Sequence, residues 1–404
     1  MAKVEILTRA SALHEKRALD AMKRTLIEAL RQAAPFEIEE VTKPSGDHLA
    51  AVLVLTGGVE REVLKLVAQL PPPSILIAHS GHNSLPASLE ILARIRKDGG
   101  EGRILYGEPE EVVQELQLEM AVSNAWNALR FSRVGLIGDP SEWLIASDVD
   151  PAYLKGRLAI DLIDIKITDF EKRIAAATVD KSDIQEFTKK AKSIVGPNSE
   201  DIKDAIAVYK GLRALVDEHR LAACSVRCFD LVTDLRTTGC YALARLNDEG
   251  IPTGCEGDVQ TLFSLYIGSL LTQKVAFMGN VTAVDTANKV LGLAHCMCPL
   301  SMAMQYTIYA HFESGLGIGI SGEFPTGPCT VFRLGGERLD QLFVTQGTLE
   351  NPDFRNDLCR TQLRILTEDP IDGLLSAPLG NHHTLIPGHH KSAIERFFER
   401  YLRP

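Results

Sequence analysis

At 404 residues the chain is too long for one ordinary core, and 45% hydrophobic with 24% charged content describes a globular protein able to bury more than one. A net charge of −10 and a pI near 5.6 argue against nucleic acid or an anionic membrane as the main partner. The longest apolar run, Leu262 to Leu271, is about half a bilayer span, and the opening MAKVEILTRA enters a strand with no signal-peptide pattern. The eight cysteines do not pair as CxxC repeats, so a reducing, cytoplasmic setting is expected.

Residues 1–133 alternate short β runs with amphipathic helical patterns, which predicts a doubly wound parallel sheet. VEILTR precedes a long helix over Ala12–Ala33, AAVLVLTGG precedes EREVLKLVAQL, and SILIAHSGHN precedes SLPASLEILARIRK. A last helix is expected from Glu108 to about Arg130. Ligands of such sheets bind beyond the carboxyl ends of the strands. Those ends carry Thr56-Gly57-Gly58 and His79-Ser80-Gly81-His82-Asn83, of which Thr56, Gly57, Gly58, His79, His82 and Asn83 are candidates for substrate contact. The glycines equally suit a tight turn, and Asn83 or Ser84 equally suits a helix N-cap with Pro86 in the first turn.

RVGLIGDPSEWL restarts the β-turn-helix rhythm and opens a second α/β domain over 134–275. Residues 152–221 are expected to be mainly helical, LAACSVRCFDLV a buried strand, and TTGCYALARLNDEG a helix closed by Gly250. From 276 to 404 the chain is rich in glycine and β-formers, which predicts an antiparallel, barrel-like or sandwich-like third domain. Within it TAVDTANKVLGLAH reads as a turn, a short helix and a strand ending at His295. GLGIGISG lacks the strand-loop-helix setting of a phosphate loop and reads as glycine-rich strand.

Three polar clusters fall at strand ends in the last 150 residues: Glu256 with Asp258, Asn280 to His295, and Asn381-His382-His383. Mixed carboxylate and imidazole donors suit Mn²⁺, Zn²⁺, Fe²⁺ or Co²⁺. Such an ion grips adjacent sugar oxygens while a carboxylate moves a proton. Each cluster also has a structural reading. Asp258 is placed to N-cap the helix that follows, His295 to sit satisfied in a core, and the late histidines to occupy a solvated turn.

The run GCYALARLNDEGIPTGCEGD, the AHC of 294–296 and AHFESGLGIGISGEFPTGPCTVFRL together resemble the L-fucose isomerase-like proteins, a superfamily that includes L-arabinose isomerase. The resemblance is clearest from about 222 to 390 and agrees with the order of two α/β domains before a β-rich one. It implies a metal-dependent aldose–ketose isomerase acting on a small sugar, with Mn²⁺ or another divalent cation as cofactor. Glu256 would be first ligand and proton carrier, His295 a middle ligand, and His382 or His383 the late ligand, with Asn381 beside them as a substrate contact. AHSGHNSLPASLE resembles the segment that reaches a neighbouring subunit's active site, which makes His79, His82 and Asn83 substrate contacts in a trimer or hexamer. The chain departs from the pattern at Asn280, which stands where fucose isomerases have a second metal-binding carboxylate. An amide can ligate but cannot act as a base, so a two-base reaction would draw on Asp258 or Asp285. That departure leaves open two alternatives: an epimerase or carbon–carbon lyase or transferase on a related sugar, and a sugar-binding protein with a degenerate site.

Overall fold

The computed structural model describes residues 3–403 and divides into two compact units, one ending at Ser123 and the other beginning at Asn124. In the first unit, β1 (Lys3–Arg9), β2 (Glu37–Glu40), β3 (Leu49–Val54), β4 (Ser74–Ile77) and β5 (Gly102–Leu105) form a parallel sheet in the order β2-β1-β3-β4-β5. Strand side chains alternate between its faces. Ile6, Leu53 and Ile75 join Ile27 of helix Lys16–Ala33 and Leu116 of helix Pro109–Leu129. Leu7, Val52 and Leu76 join Val63 of helix Glu60–Val67 and Ile91 of helix Ser84–Lys97. Burial on both faces explains why these strands read as unbroken apolar runs. The helix expected from Ala12 begins four residues later, at Lys16.

The second unit holds both the second sheet and the β-rich region. Its early strands are β6 (Arg133–Ile137), β7 (Asp161–Ile165), β8 (Ala191–Val195), β9 (Ala223–Val226) and β10 (Thr253–Cys255). Four of them make a parallel sheet ordered β10-β9-β6-β7. The stretch 152–221, expected to be mainly helical, thus contributes two strands, β7 and β8. LAACSVRCFDLV is not one strand: β9 stops at Val226 and helix Cys228–Leu235 begins two residues on, so Cys228 does not continue the strand.

The remaining strands are β11 (Phe277–Asp285), β12 (Val290–His295), β13 (Gln305–Tyr309), β14 (Gly319–Glu323), β15 (Gly327–Gly335), β16 (Gln341–Glu350), β17 (Thr361–Thr367) and β18 (His382–Pro387). Six close an antiparallel barrel in the order β11-β12-β17-β16-β15-β18. The other two, β13 and β14, pair with β8 in a small sheet. The short helix expected after Asn280 is instead the hairpin between β11 and β12, closed where Asp285 Oδ1 accepts the Asn288 N–H at 3.0 Å. Asp285, a candidate base, is therefore an exposed turn residue. No described helix is long and apolar enough to cross a membrane.

One helix, Val259–Thr272, joins the parallel sheet to the barrel. It follows β10 directly and is buried almost all round, which accounts for its lack of a polar face. It lies on β15 and β18 at Gly268, where a Cβ would come within 2.5 Å of Ile386 Cδ1 and 3.0 Å of the Phe332 ring. The missing side chain sets how closely helix and barrel approach. Gly268→Val should lower stability by roughly 1–3 kcal/mol through overpacking, read from the midpoint of urea unfolding.

Candidate active site

Glu256 sits just past the carboxyl end of β10, on a turn that strains the backbone to present it. Its φ is 63° and that of Gly257 is 72°. A Cβ at Gly257 would lie 2.8 Å from Pro140 Cα and 2.9 Å from the Asp139 carbonyl oxygen, so only glycine passes there. The same 139–143 loop holds the turn from outside. The Ser141 N–H donates to the Glu256 carbonyl at 2.9 Å, and the Trp143 indole N–H donates to Glu256 Oε2 at 2.5 Å. A left-handed glutamate is the kind of outlier that persists only where its surroundings over-determine it.

Three neighbouring barrel strands supply the opposite wall. In the ladder Asn280 of β11 faces His382 of β18 on one side and Ala294 of β12 on the other, next to His295. The outcome is a buried trio. Glu256, His295 and His382 offer donor atoms that all lie within 4.8 Å of one another. Glu256 and His295 line a cavity of about 520 Å³ with Trp143, Asn280 and Asn381, and His382 lies buried behind them.

His382 is fixed from behind. Its Nδ1–H donates to Asp258 Oδ2 at 3.0 Å, which leaves Nε2 facing Glu256 Oε1 at 3.5 Å, buried and without a hydrogen bond. A carboxylate behind the imidazole with a free nitrogen in front is how metal-binding histidines are oriented. Burial alone would lower the His382 ring, but Asp258 and Glu256 on either side outweigh it and push it up to about 9. Burial raises the Glu256 carboxyl, yet His382 and the Trp143 N–H overcome that and hold it below its ordinary value. His295 is pushed down to about 4 by burial and by His382, and its Nδ1 accepts the Met297 N–H at 3.0 Å. Neutral imidazole has one lone-pair nitrogen, so holding a cation through His295 requires giving up that bond, whereas His382 keeps its bond to Asp258 and has to release the Nε2 proton.

Asp258, expected as a second acid or base, has another task. Its Oδ1 accepts the Thr261 N–H at 2.9 Å as the helix N-cap, and its Oδ2 accepts from the Thr261 hydroxyl at 2.8 Å. Burial would raise this carboxyl, but the Arg333 guanidinium at 3.2 Å, with His382, holds it well below the carboxylate range. It is fully buried with its oxygens taken up by Thr261, Arg333 and His382, so it orients His382. Arg333, equally buried, spans the whole assembly. Its Nη1 also donates to the Thr261 hydroxyl at 2.6 Å and the His382 carbonyl at 2.7 Å, and its Nη2 to Ser147 Oγ at 2.9 Å and Gln260 Oε1 at 3.1 Å.

The remaining expectations divide. His383 follows His382 on a strand and so points the other way, against the edge of Phe343, with neither ring nitrogen hydrogen-bonded. Burial pushes it down to about 3, which makes it a neutral core histidine outside the trio. Asn280 lines the cavity, but its amide oxygen accepts the Asn381 Nδ2–H at 3.0 Å. In the first unit Gly57, Gly58, His82 and Asn83 line a cavity of about 500 Å³ with Ser11 and His14, beyond the ends of β1 and β3. Thr56 and His79 are committed to the loops themselves. Thr56 Oγ1 accepts the Ser11 N–H at 2.7 Å, and His79 Nε2–H donates to the Leu55 carbonyl at 3.0 Å while Nδ1 accepts from Gly81. Asn83 holds the N-cap position with φ of 59° but makes no side-chain cap.

Sequence reasoning missed Trp143 and Arg333. Nothing in GDPSEWL marks the indole. Arg333 did carry a signal, since a lone guanidinium inside the apolar strand run CTVFRL needs a buried partner.

No family model matches the chain. It is 25% identical over 257 residues to a sulfoquinovose isomerase of Clostridium sp. strain MSTE9, covering 58% of this chain and 56% of that protein. It is 22% identical over 300 residues to the sulfoquinovose isomerases of Priestia aryabhattai and Priestia megaterium, covering 70% of this chain and 66% of each. The matched region thus spans less than two thirds of the length of these relatives.

Arg333→Met should cost about 3–5 kcal/mol, because it leaves the Asp258 charge buried and uncompensated. Adding Asp258→Asn should recover part of that loss, and denaturant unfolding of the single and double variants measures the coupling.

Proposed function

We propose that the chain is an aldose–ketose isomerase that moves a proton between C1 and C2 of a sugar, with Glu256 as the carrier. The observation that carries this reading is the convergence of Glu256, His295 and His382 into one buried cluster, with Glu256 and His295 on the cavity wall. The relatives' names support it over carbon–carbon bond chemistry or simple sugar binding. Two imidazoles and a carboxylate, with His382 Nε2 buried and unpaired, suit Mn²⁺ or another borderline divalent cation. Such a cation, when bound, supplies a Lewis acid toward adjacent sugar oxygens.

The chain's own residues do the rest. Trp143 pins one oxygen of Glu256, which fixes the direction in which the other oxygen faces. Asp258 and Arg333 keep His382 turned toward Glu256. The Asn280–Asn381 amide pair offers neutral hydrogen-bonding groups for sugar hydroxyls along the same wall. The relatives act on a sulfonated sugar by name, so sulfoquinovose is the first substrate to assay, beside unsubstituted aldohexoses. The reading also includes a cytoplasmic homo-oligomer, a trimer or hexamer, in which Gly57, Gly58, His82 and Asn83 contribute substrate contacts to a neighbouring subunit. Separate 1–133, 134–275 and 276–404 domains remain part of it.

Turnover in D₂O followed by NMR should show interconversion with deuterium entering at C1 or C2. Cleavage into smaller fragments would count against isomerisation. Chelation should abolish turnover and Mn²⁺ restore it. Glu256→Gln should reduce turnover by about 10²–10⁴-fold or more, the usual range for a lost acid–base group. A variant as fast as wild type on the best substrate would remove Glu256 from the mechanism.

A further inference from the structure

Five of the eight cysteines, Cys228, Cys240, Cys255, Cys296 and Cys359, line the same cavity, and all are free thiols. The proposed chemistry uses none of them. Two are in contact: the sulfurs of Cys228 and Cys255 lie 2.6 Å apart, against about 2.05 Å for a bonded pair. The topology makes the contact. Cys255 ends β10 opposite Val226 of β9, and Cys228 lies two residues beyond Val226 as the first residue of its helix.

Both sulfurs are on the wall of a cavity large enough to admit a small polar oxidant. Cys228 opens its helix, at an end that favours negative charge, which makes it the attacking sulfur and Cys255 the sulfur in contact that resolves it.

We propose that Cys228 and Cys255 form a reversible oxidation site that closes to a disulfide when a hydroperoxide such as hydrogen peroxide enters the cavity. The Cys228 sulfur attacks a peroxide oxygen, the O–O bond breaks, and a sulfenic acid forms as the thiol proton leaves with the other oxygen in water. The Cys255 sulfur then attacks the Cys228 sulfur, the S–S bond forms, and the sulfenic hydroxyl leaves as water with the Cys255 proton. Two thiols are oxidised by two electrons, and one hydrogen peroxide is reduced to two waters.

The consequence reaches Glu256, the next residue. Its φ is 63°, and a Cβ at Gly257 would come within 2.8 Å of Pro140 Cα, so the turn is closely confined and a shift of Cys255 is passed on to the carboxylate. Oxidation therefore weakens cation binding at the trio. This second effect rests on the proposed cation site, whereas the thiol chemistry does not.

Reduced protein is treated with hydrogen peroxide and denatured. Remaining thiols are blocked with N-ethylmaleimide, and the peptides are mapped unreduced by mass spectrometry. The Cys228 peptide should be joined to the Cys255 peptide, with six thiols blocked (eight less the pair) and all eight recovered after dithiothreitol. In Cys228→Ser, Cys255 should be recovered blocked. A bridge between Cys296 and Cys359 instead, or recovery of both Cys228 and Cys255 as blocked thiols in the wild type, overturns the proposal. Calorimetric titration with Mn²⁺ reads the second effect. Affinity should fall about tenfold or more on oxidation, the scale of a disturbed supporting shell, and return with dithiothreitol. Equal affinity in both states rejects the coupling to Glu256. No Mn²⁺ binding by reduced protein rejects the cation site, while the peptide map still decides the disulfide.

Discussion

A guanidinium and a carboxylate, both wholly removed from water, meet at 3.2 Å between Arg333 and Asp258. Taking two charges out of water costs several kcal/mol each, and their attraction compensates only when the remaining polar atoms are also satisfied. Here they are. Asp258 caps a helix and holds His382, while Arg333 ties the helix, the barrel strand of His382 and the 144–148 segment into one network. Removing either charge would strand the other, so the pair fixes the relation between the parallel sheet's last turn and the barrel. Gly380 records how tightly this is built: a Cβ there would lie 2.4 Å from Arg333 Nη2.

On that frame the cavity wall follows from two local constraints. The GCEGD turn holds Glu256 in a left-handed conformation, with the loop carrying Trp143 closing over it. The β18-β11-β12 ladder brings the ends of three strands side by side, so residues more than 80 apart in sequence share one surface. Neither constraint is about chemistry as such, yet together they leave one buried, unpaired imidazole nitrogen facing a carboxylate.

Asn280 takes on a different meaning in this setting. By the resemblance to fucose isomerases it stands where a second metal-binding carboxylate is expected, so a charge and a base are missing from that expectation. In the structure its amide oxygen is engaged by Asn381, and the adjacent strand brings His295 to the cluster instead. The group that could hold a cation is therefore two imidazoles and one carboxylate, with one negative charge among them. Asp258 adds a second negative charge, but behind His382 and balanced by Arg333.

What the sequence by itself determined was whatever depends on short range. The alternating apolar runs specify parallel strands, because burial on both faces selects β-branched and aliphatic residues at every position. The Gly-Cys-Glu-Gly-Asp stretch specifies a turn and an N-cap, since Gly257 suits a left-handed position and Asp258 a cap, although the left-handed Glu256 is not marked by its residue type. The barrel-forming character of the last third was legible for the same reason. Pairing was not. Nothing local distinguishes His382 from His383, because strand register alone decides which of two successive side chains faces the trio. Asp258 reads as an acid beside an acid until Arg333, 75 residues away, is seen to neutralise it. Trp143 reaches Glu256 across 113 residues, and Cys228 reaches Cys255 because one strand ends and a helix begins between Val226 and Cys228. Propensity is a property of neighbours in sequence, whereas ligand sets, ion pairs and thiol contacts are properties of neighbours in space, and only tertiary packing chooses those.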